Sequence, residues 1–527
     1  MKSSQNALTF LTAQYRAIYG RAYVKGLASA MVLTTAMVGT YAHAATIEGG
    51  ESWDAAEDFT DSVNGYDTED ILEGGYYNNI NADKSGDTLR TESINLKGTM
   101  SIVSGATVSI TDNGSGAGRK LYGWDHYTQT SDTATGSLKN NGVFNVGRDG
   151  EKETNAVSAQ ANFHKIHLGA DSETGIRGIT DADQYIKDYT TMAGGYGSSG
   201  AVTADSGSIV HLKNNSQLLV AQGASGSIDG TVNFVPNQSG TNAIVRGEDN
   251  FDGSAFGSGT SASLEFGVNS AVNVYGNANG VGNSGVASGT AGIYAANVTF
   301  KGDVNVSGKG TLRLDGDFLD TNKSAAEAGH GTGYFKANNQ AKFNIAEGAK
   351  IVVGNGSYGQ DNAATTDINE AGATTLDLTQ LRDGALAGEG TLEVQGTTIL
   401  TESVLDGLVQ PSAQAYANDP SNSTEWTKGG KVALNDGTLE VKTDNDQAFN
   451  LNKYILRDTE TAGSDIVIGS GDNLIKTANL EIDRLEATNA KEHLSFEADK
   501  LTLGGDTTSK FGFKQALVHD EVNFKEP

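Results

Sequence analysis

Few residues in this chain have types and spacings that could do chemistry. Ala204-Asp205-Ser206-Gly207-Ser208 sets a serine beside a carboxylate in a tight turn, where a nucleophilic hydroxyl could sit. Such a hydroxyl needs an imidazole base in reach and a carboxylate that orients the base. His126, His164 and His167 lie upstream, none in a recognisable catalytic context. Asp-Ser-Gly is also an ordinary turn into a strand, Ile209-Val210-His211-Leu212, and protease chemistry is not expected. His164-Lys165-Ile166-His167 holds two metal-ligating side chains without the carboxylate pattern of a zinc site, so surface histidines are expected. Gly469-Ser470-Gly471-Asp472-Asn473 is a lone fragment of a calcium-binding repeat with no tandem neighbour. With 65 acids spread along the chain, no carboxylate pair stands out for glycosidic cleavage. No catalytic, cofactor-binding or metal-ligating residue is therefore assigned, and no cofactor is expected.

The elements that carry these residues are many short strands. The chain has 68 Gly but only 4 Pro in 527 residues, and Gly, Asn and Asp are the residues that tolerate tight turns. There is no cysteine, so stability must come from burial and backbone pairing instead of disulfides. The net charge of −28, with no basic run after the first residues, excludes a nucleic-acid partner.

One phrase recurs. Gly308-Lys309-Gly310-Thr311-Leu312-Arg313-Leu314-Asp315-Gly316 returns as Gly388-Glu389-Gly390-Thr391-Leu392-Glu393-Val394-Gln395-Gly396, and again as Asp436-Gly437-Thr438-Leu439-Glu440-Val441-Lys442. Each copy is a turn followed by apolar–polar alternation, which marks a half-buried strand. Leu312, Leu314, Leu392, Val394, Leu439 and Val441 are expected inside; Arg313, Glu393 and Glu440 outside. Strands this short need stacked equivalents above and below them, which is the logic of a solenoid. Alternation starting at Val298, Val304 and Leu312 suggests three faces and a coil of roughly 20–24 residues. The fold class that follows is all-β, a right-handed parallel β-helix with short loop and helical insertions.

Residues 1–44 read as a signal peptide. Lys2, Arg16, Arg21 and Lys25 are their only charges, an apolar run spans 27–38, and Ala42-His43-Ala44 offers a cleavage site. The front of this leader, with Tyr15-Arg16-Ala17-Ile18-Tyr19-Gly20-Arg21-Ala22-Tyr23, resembles the extended signals of Gram-negative autotransporters and large exoproteins. The phrase at 308–316 and 388–396 resembles the autotransporter-associated β-strand repeat of their passenger domains. Some such passengers are serine proteases, but Ala204 and Ile209 stand where those enzymes carry Gly and commonly Pro.

The resemblance implies export to the surface of a Gram-negative cell or beyond it, through a translocator barrel supplied downstream or in trans. No barrel-like run of long alternating strands closes the chain. The Asn-Pro-Asn motif of two-partner exoproteins is also missing.

Residues 45–90 read as an N-terminal cap or lead-in and 91–527 as the β-helical passenger. Insertions are expected near 150–200, with a short helix at 180–189, near 320–340 and near 405–430. The function expected is that of an adhesin, not an enzyme, whose rod presents loops to molecules of a host or neighbouring cell. The alternatives are a secreted β-helical polysaccharide-cleaving enzyme and a purely structural coat protein.

Overall fold

The computed structural model describes residues 46–524 except 48–62, 65–68, 73–74, 111–119, 124–133, 148–158, 178–189, 237–241, 248–261, 277–289, 317–332, 356–373, 410–428, 445–446, 456–464, 484–493, 505–514 and positions 87, 92, 198 and 222. The leader and the helix expected at 180–189 lie outside the described residues.

Asn297–Phe300, Asp303–Ser307 and Thr311–Asp315 lie on three successive faces, as the alternation requires. Each strand pairs in parallel with its equivalents one coil before and one coil after. Repetition of this step builds three ladders. The first runs over twelve strands, from Thr46–Ile47 to Leu386–Gly388, and the second over thirteen, from Gly75–Tyr77 to Ile466–Ile468. The third runs from Val63–Asn64 to Gln515–Phe524. It is an open stack, because its strands pair with the coils below and above. The molecule is a parallel β-helix.

The recurring phrase has a steric cause. Gly308 and Gly388 hold φ at +60° and +120°, the left-handed region that glycine favours. A Cβ on Gly390 would meet the Ala346 and Ala349 carbonyl oxygens of the coil below at 2.5 and 2.7 Å, so no side chain fits there. The alternating residues that follow fill the core. Leu312, Leu314, Val394, Leu439 and Val441 are fully buried and Leu392 is 1 % exposed. Burial of each such side chain stabilises the fold by ~1.5–3 kcal/mol. Phe266 stacks on Phe300 with centroids 5.3 Å apart, and Phe343 meets Phe300 edge-on at 5.5 Å, so aromatic rings also stack from coil to coil.

On the outside of the first face, asparagines form a ladder of their own. Asn305 Nδ2 donates to Asn273 Oδ1 and Asn273 Nδ2 to Asn233 Oδ1, both at 3.0 Å. Parallel in-register stacking sets identical amides at hydrogen-bonding distance, as in cross-β ladders.

The ladders reach into the stretches read as lead-in and as insertions. Within 45–90, Glu69–Leu72 pairs with Thr88–Thr91, Gly75–Tyr77 with Ile94–Leu96 and Val63–Asn64 with Ile80–Asn81. The insertion expected across 150–200 contains four regular strands, Gln160–Phe163, Lys165–Leu168, Glu173–Arg177 and Thr190–Gly194. Residues 148–158 and 178–189 lie outside the described residues. Similarly, Tyr334–Ala337 is a ladder strand inside the stretch 320–340. The rhythm was lost because the second face is buried on both sides. Ala193, Leu219, Ile244 and Tyr294 point away from the core yet are at most 5 % exposed. A strand covered on both faces reads as a continuous run without alternation.

The first ladder ends where the helix Glu402–Val409 takes its place, packed on Leu386–Gly388. Val404, Leu405, Leu408 and Val409 share one helical stripe and are buried. The Thr401 hydroxyl accepts from the Val404 N–H at 3.3 Å, which caps the first turn. Beyond it, the ten-residue strands Asn473–Ile482, Leu494–Leu503 and Gln515–Phe524 start at even intervals. In the first of them the buried positions shift phase at exposed Ala478, from 473, 475 and 477 to 480 and 482. That bend lets one strand pair with Thr438–Lys442 and then with Phe449–Asn450.

Candidate functional site

The three corners of the rod are unequal. Connectors from the third face to the first are short throughout: 141–142, 169–172, 205–208, 229–230, 267–270, 301–302 and 338–341, with 378–385 the longest. The interruptions 111–119, 148–158, 178–189, 237–241 and 277–289 all fall between the first face and the second. The interruptions 124–133, 248–261, 317–332 and 356–373 fall between the second and the third. Residues 410–428 follow the helix and precede Lys431–Leu434 of the second face, so they continue the same pattern. Between Glu69–Leu72 and Lys431–Leu434, every connector longer than eight residues adjoins the second face.

A buried polar network lies on the outside of that face. Arg313 donates to Asp315 Oδ2 through Nε at 2.9 Å and Nη2 at 2.7 Å, and through Nη1 to Gln395 Oε1 at 3.2 Å. Gln395 Nε2 donates to Glu393 Oε1 at 2.9 Å, and Lys350 Nζ to Glu393 Oε2 at 3.1 Å. Arg313 and Glu393 therefore point outward as expected, yet their side chains are only 11 % and 14 % exposed. Burial by itself would raise the Glu393 pKa, but its bonds to Gln395 and Lys350 outweigh that and bring it below the usual carboxylate value.

The chemical candidates are placed apart. His164 Nδ1 lies 2.6 Å from the Tyr196 carbonyl oxygen, whereas His167 Nδ1 lies 3.1 Å from Thr203 Oγ1. His167 Nε2 is 3.5 Å from Asp205 Oδ2. Carboxylate, imidazole and hydroxyl stand in the order of a nucleophilic triad. The Thr203 hydroxyl, however, donates its proton to the Ile166 carbonyl at 3.2 Å, so the ring does not receive it. Ser206 is an exposed turn residue, and Ser208 Oγ donates to the Asp205 carbonyl at 2.7 Å. In the fragment 469–473, Asn473 Nδ2 donates to the Gly469 and Ser470 carbonyls at 3.1 and 3.3 Å. An amide thus bonds the carbonyls that a calcium ion would use. Among the described residues no three His, Asp or Glu side chains converge on a metal-sized space.

His211 is a group that sequence reasoning did not single out, and it sits in the asparagine column. Its Nε2 is buried without a hydrogen-bond partner, 3.7 Å from Glu173 Oε1, and its Nδ1 lies 3.4 Å from Asn233 Nδ2. Burial, with a smaller effect of the Arg177 charge, lowers its pKa from 6.5 to about 4. A base with a depressed folded pKa contributes stability that is whole above its unfolded pKa and is lost as pH falls through the folded value. Stability is therefore expected to fall between pH 6.5 and pH 4, by roughly 2–3 kcal/mol from this group. The pKa of Glu173 is raised by burial, which offsets part of the loss at the acid end. Melting temperatures across that window should drop less steeply for His211→Gln than for the natural chain. Equal slopes would contradict a neutral buried imidazole.

The chain matches no family model, no curated protein and no solved structure.

Proposed function

We propose that this chain is an exported adhesin of autotransporter type, a rod that carries recognition segments along one side. The observation that supports this reading is the unequal connectors: between Glu69–Leu72 and Lys431–Leu434 every one longer than eight residues adjoins the second face, while those from the third face to the first stay short. Insertions in a solenoid that cluster on one side often form its binding face. The leader and the repeat phrase add the resemblance to passenger domains. On this reading residues 1–44 direct export across the inner membrane of a Gram-negative cell. A translocator barrel, downstream or in trans, carries the rod across the outer membrane. The partners are protein or glycan molecules on a host or neighbouring cell.

The structure sets the deletion that tests this. Removing 410–428 or 178–189 spares the helix residues Leu408 and Val409 and the strand Thr190–Gly194, all of which belong to the rod. Each deletion is expected to reduce attachment to cells or matrix severalfold while circular dichroism stays β-rich. Unchanged attachment in both deletions would overturn the adhesin reading. Sustained release of reducing ends or unsaturated products from a polysaccharide, abolished by one Asp→Asn change, would replace it with the enzyme.

A further inference from the structure

Among the described residues Gln515–Phe524 pairs only with Leu494–Leu503, so its other edge is open. Its register continues the core columns of that neighbour. Ala516 lies beside Phe496, Val518 beside Ala498, Val522 beside Leu501 and Phe524 beside Leu503. Phe496, Ala498 and Leu501 have a strand on either side and are at most 3 % exposed. The last strand lacks the second neighbour, and Val522 is 48 % exposed and Phe524 76 %. An open edge of this kind presents backbone donors and acceptors to any strand that can add to it.

The sequence of the strand selects what fits there. Ala516, Val518, Asp520, Val522 and Phe524 read as apolar, apolar, acid, apolar, apolar in either direction. The register shifts near Asp499, yet all four apolar residues stay in line with the core side of the neighbouring strand. An antiparallel copy centred on Asp520 therefore sets Val518 opposite Val522 and Ala516 opposite Phe524, each pair made twice on one face. His519 falls opposite Glu521 on the other face. Directly opposite residues of an antiparallel pair share a face, so apolar meets apolar and base meets acid. The described strand at the other end of this ladder, Val63–Asn64, has two residues and offers no matching edge for head-to-tail growth.

We propose that Gln515–Phe524 is a homodimerisation edge, to which a second copy of this chain adds the same strand antiparallel about a two-fold axis at Asp520. The contact is isologous, so it closes at two copies. The third-face sheets of the two rods continue into each other, and each copy covers the Val522 and Phe524 of the other. Asp520 meets itself at the axis, and like charges directly opposite weaken the pair. This inference goes beyond the adhesin reading and does not rest on it.

Sedimentation of the full chain over a concentration series is expected to show monomer and dimer in equilibrium, with no larger species. Asp520→Asn should tighten the dimer by ~2–5-fold, because it removes the opposed charges. Val522→Asn acts twice in a symmetric contact and should weaken it by ~10-fold or more. The chain has no cysteine, so cross-linking reads the register directly. Asp520→Cys places two thiols across the axis with Cα atoms ~4.5–5.5 Å apart, and mild oxidation should give a covalent dimer. Leu517→Cys places them ~20 Å apart along the strand and should give none. Both positions are exposed, so both variants should keep the fold, and a β-rich circular dichroism spectrum checks that. A monomer at every concentration, cross-linking at 517 instead of 520, or a mass that keeps growing with concentration would overturn the proposal. Monomeric mass with slow amide exchange across 515–524 would assign the edge to other residues of the chain itself, and overturns it equally.

Discussion

Leu392→Asp is expected to destabilise the rod by ~4 kcal/mol or more and to do so locally. Leu392 is 1 % exposed and stacks between Ile351 and Val432 in the second ladder. The substitution forfeits ~1.5–3 kcal/mol of apolar burial and places a carboxyl group where no donor can reach it, which adds at least a few kcal/mol more. A solenoid transmits such damage to nearest neighbours, because each coil is held mainly by the two it touches. Urea unfolding should therefore split into two transitions, with the coils around 351–434 melting first. A single transition at the natural midpoint would show that this position is not in the core. Leu392→Cys in this cysteine-free chain offers a milder check: its thiol should be modified only as fast as the coil opens, and rapid labelling of the native protein would contradict the assignment.

How legible the fold was depended on which side of a strand met solvent. Strands with one wet side, such as Asp303–Ser307 and Thr391–Val394, alternate cleanly and announce both the fold and their inward residues. The second face hides its strands, since Thr190–Gly194 and Ser216–Val220 are buried at nearly every position. The helix expected at 180–189 lies outside the described residues, while the helix that forms at Glu402–Val409 reads in sequence as the edge of an insertion. Its eight residues are too few for a period to stand out. The asparagine column was within reach. An asparagine between two apolar residues recurs at Asn145, Asn233, Asn273, Asn305 and Asn344, a regularity as strong as the glycine phrase. The hydrogen bond from the Thr374 hydroxyl to the buried Asp315 carboxylate was not, because the two lie 59 residues apart and only the coil stacking brings them together.

Tyr454 is the second position where one side chain decides the local architecture, and Tyr454→Ala is expected to cost ~3–5 kcal/mol. Its ring is fully buried and stacks on Phe449 with centroids 5.0 Å apart. Its hydroxyl reaches the helix Glu402–Val409, where the single phenolic hydrogen serves Asp406 Oδ1 at 2.6 Å or Glu402 Oε1 at 2.8 Å. Lys453 Nζ supplies the remaining donors, to Asp406 Oδ2 at 2.7 Å and Glu402 Oε1 at 3.2 Å. Burial, then the bond to Asp406, pushes the phenol pKa far above its ordinary value, so the hydroxyl stays a donor at any working pH. Tyr454→Phe keeps the ring and removes only that donor, and should cost ~1–3 kcal/mol. The alanine variant should also free the helix, which would register as faster amide exchange at Val404–Val409 while the strand Thr397–Thr401 stays protected. If phenylalanine and alanine prove equally destabilising, the hydroxyl, and not the ring, holds the helix in the place of the missing strand. If neither variant lowers stability, the helix is held by Val404, Leu405 and Leu408 alone.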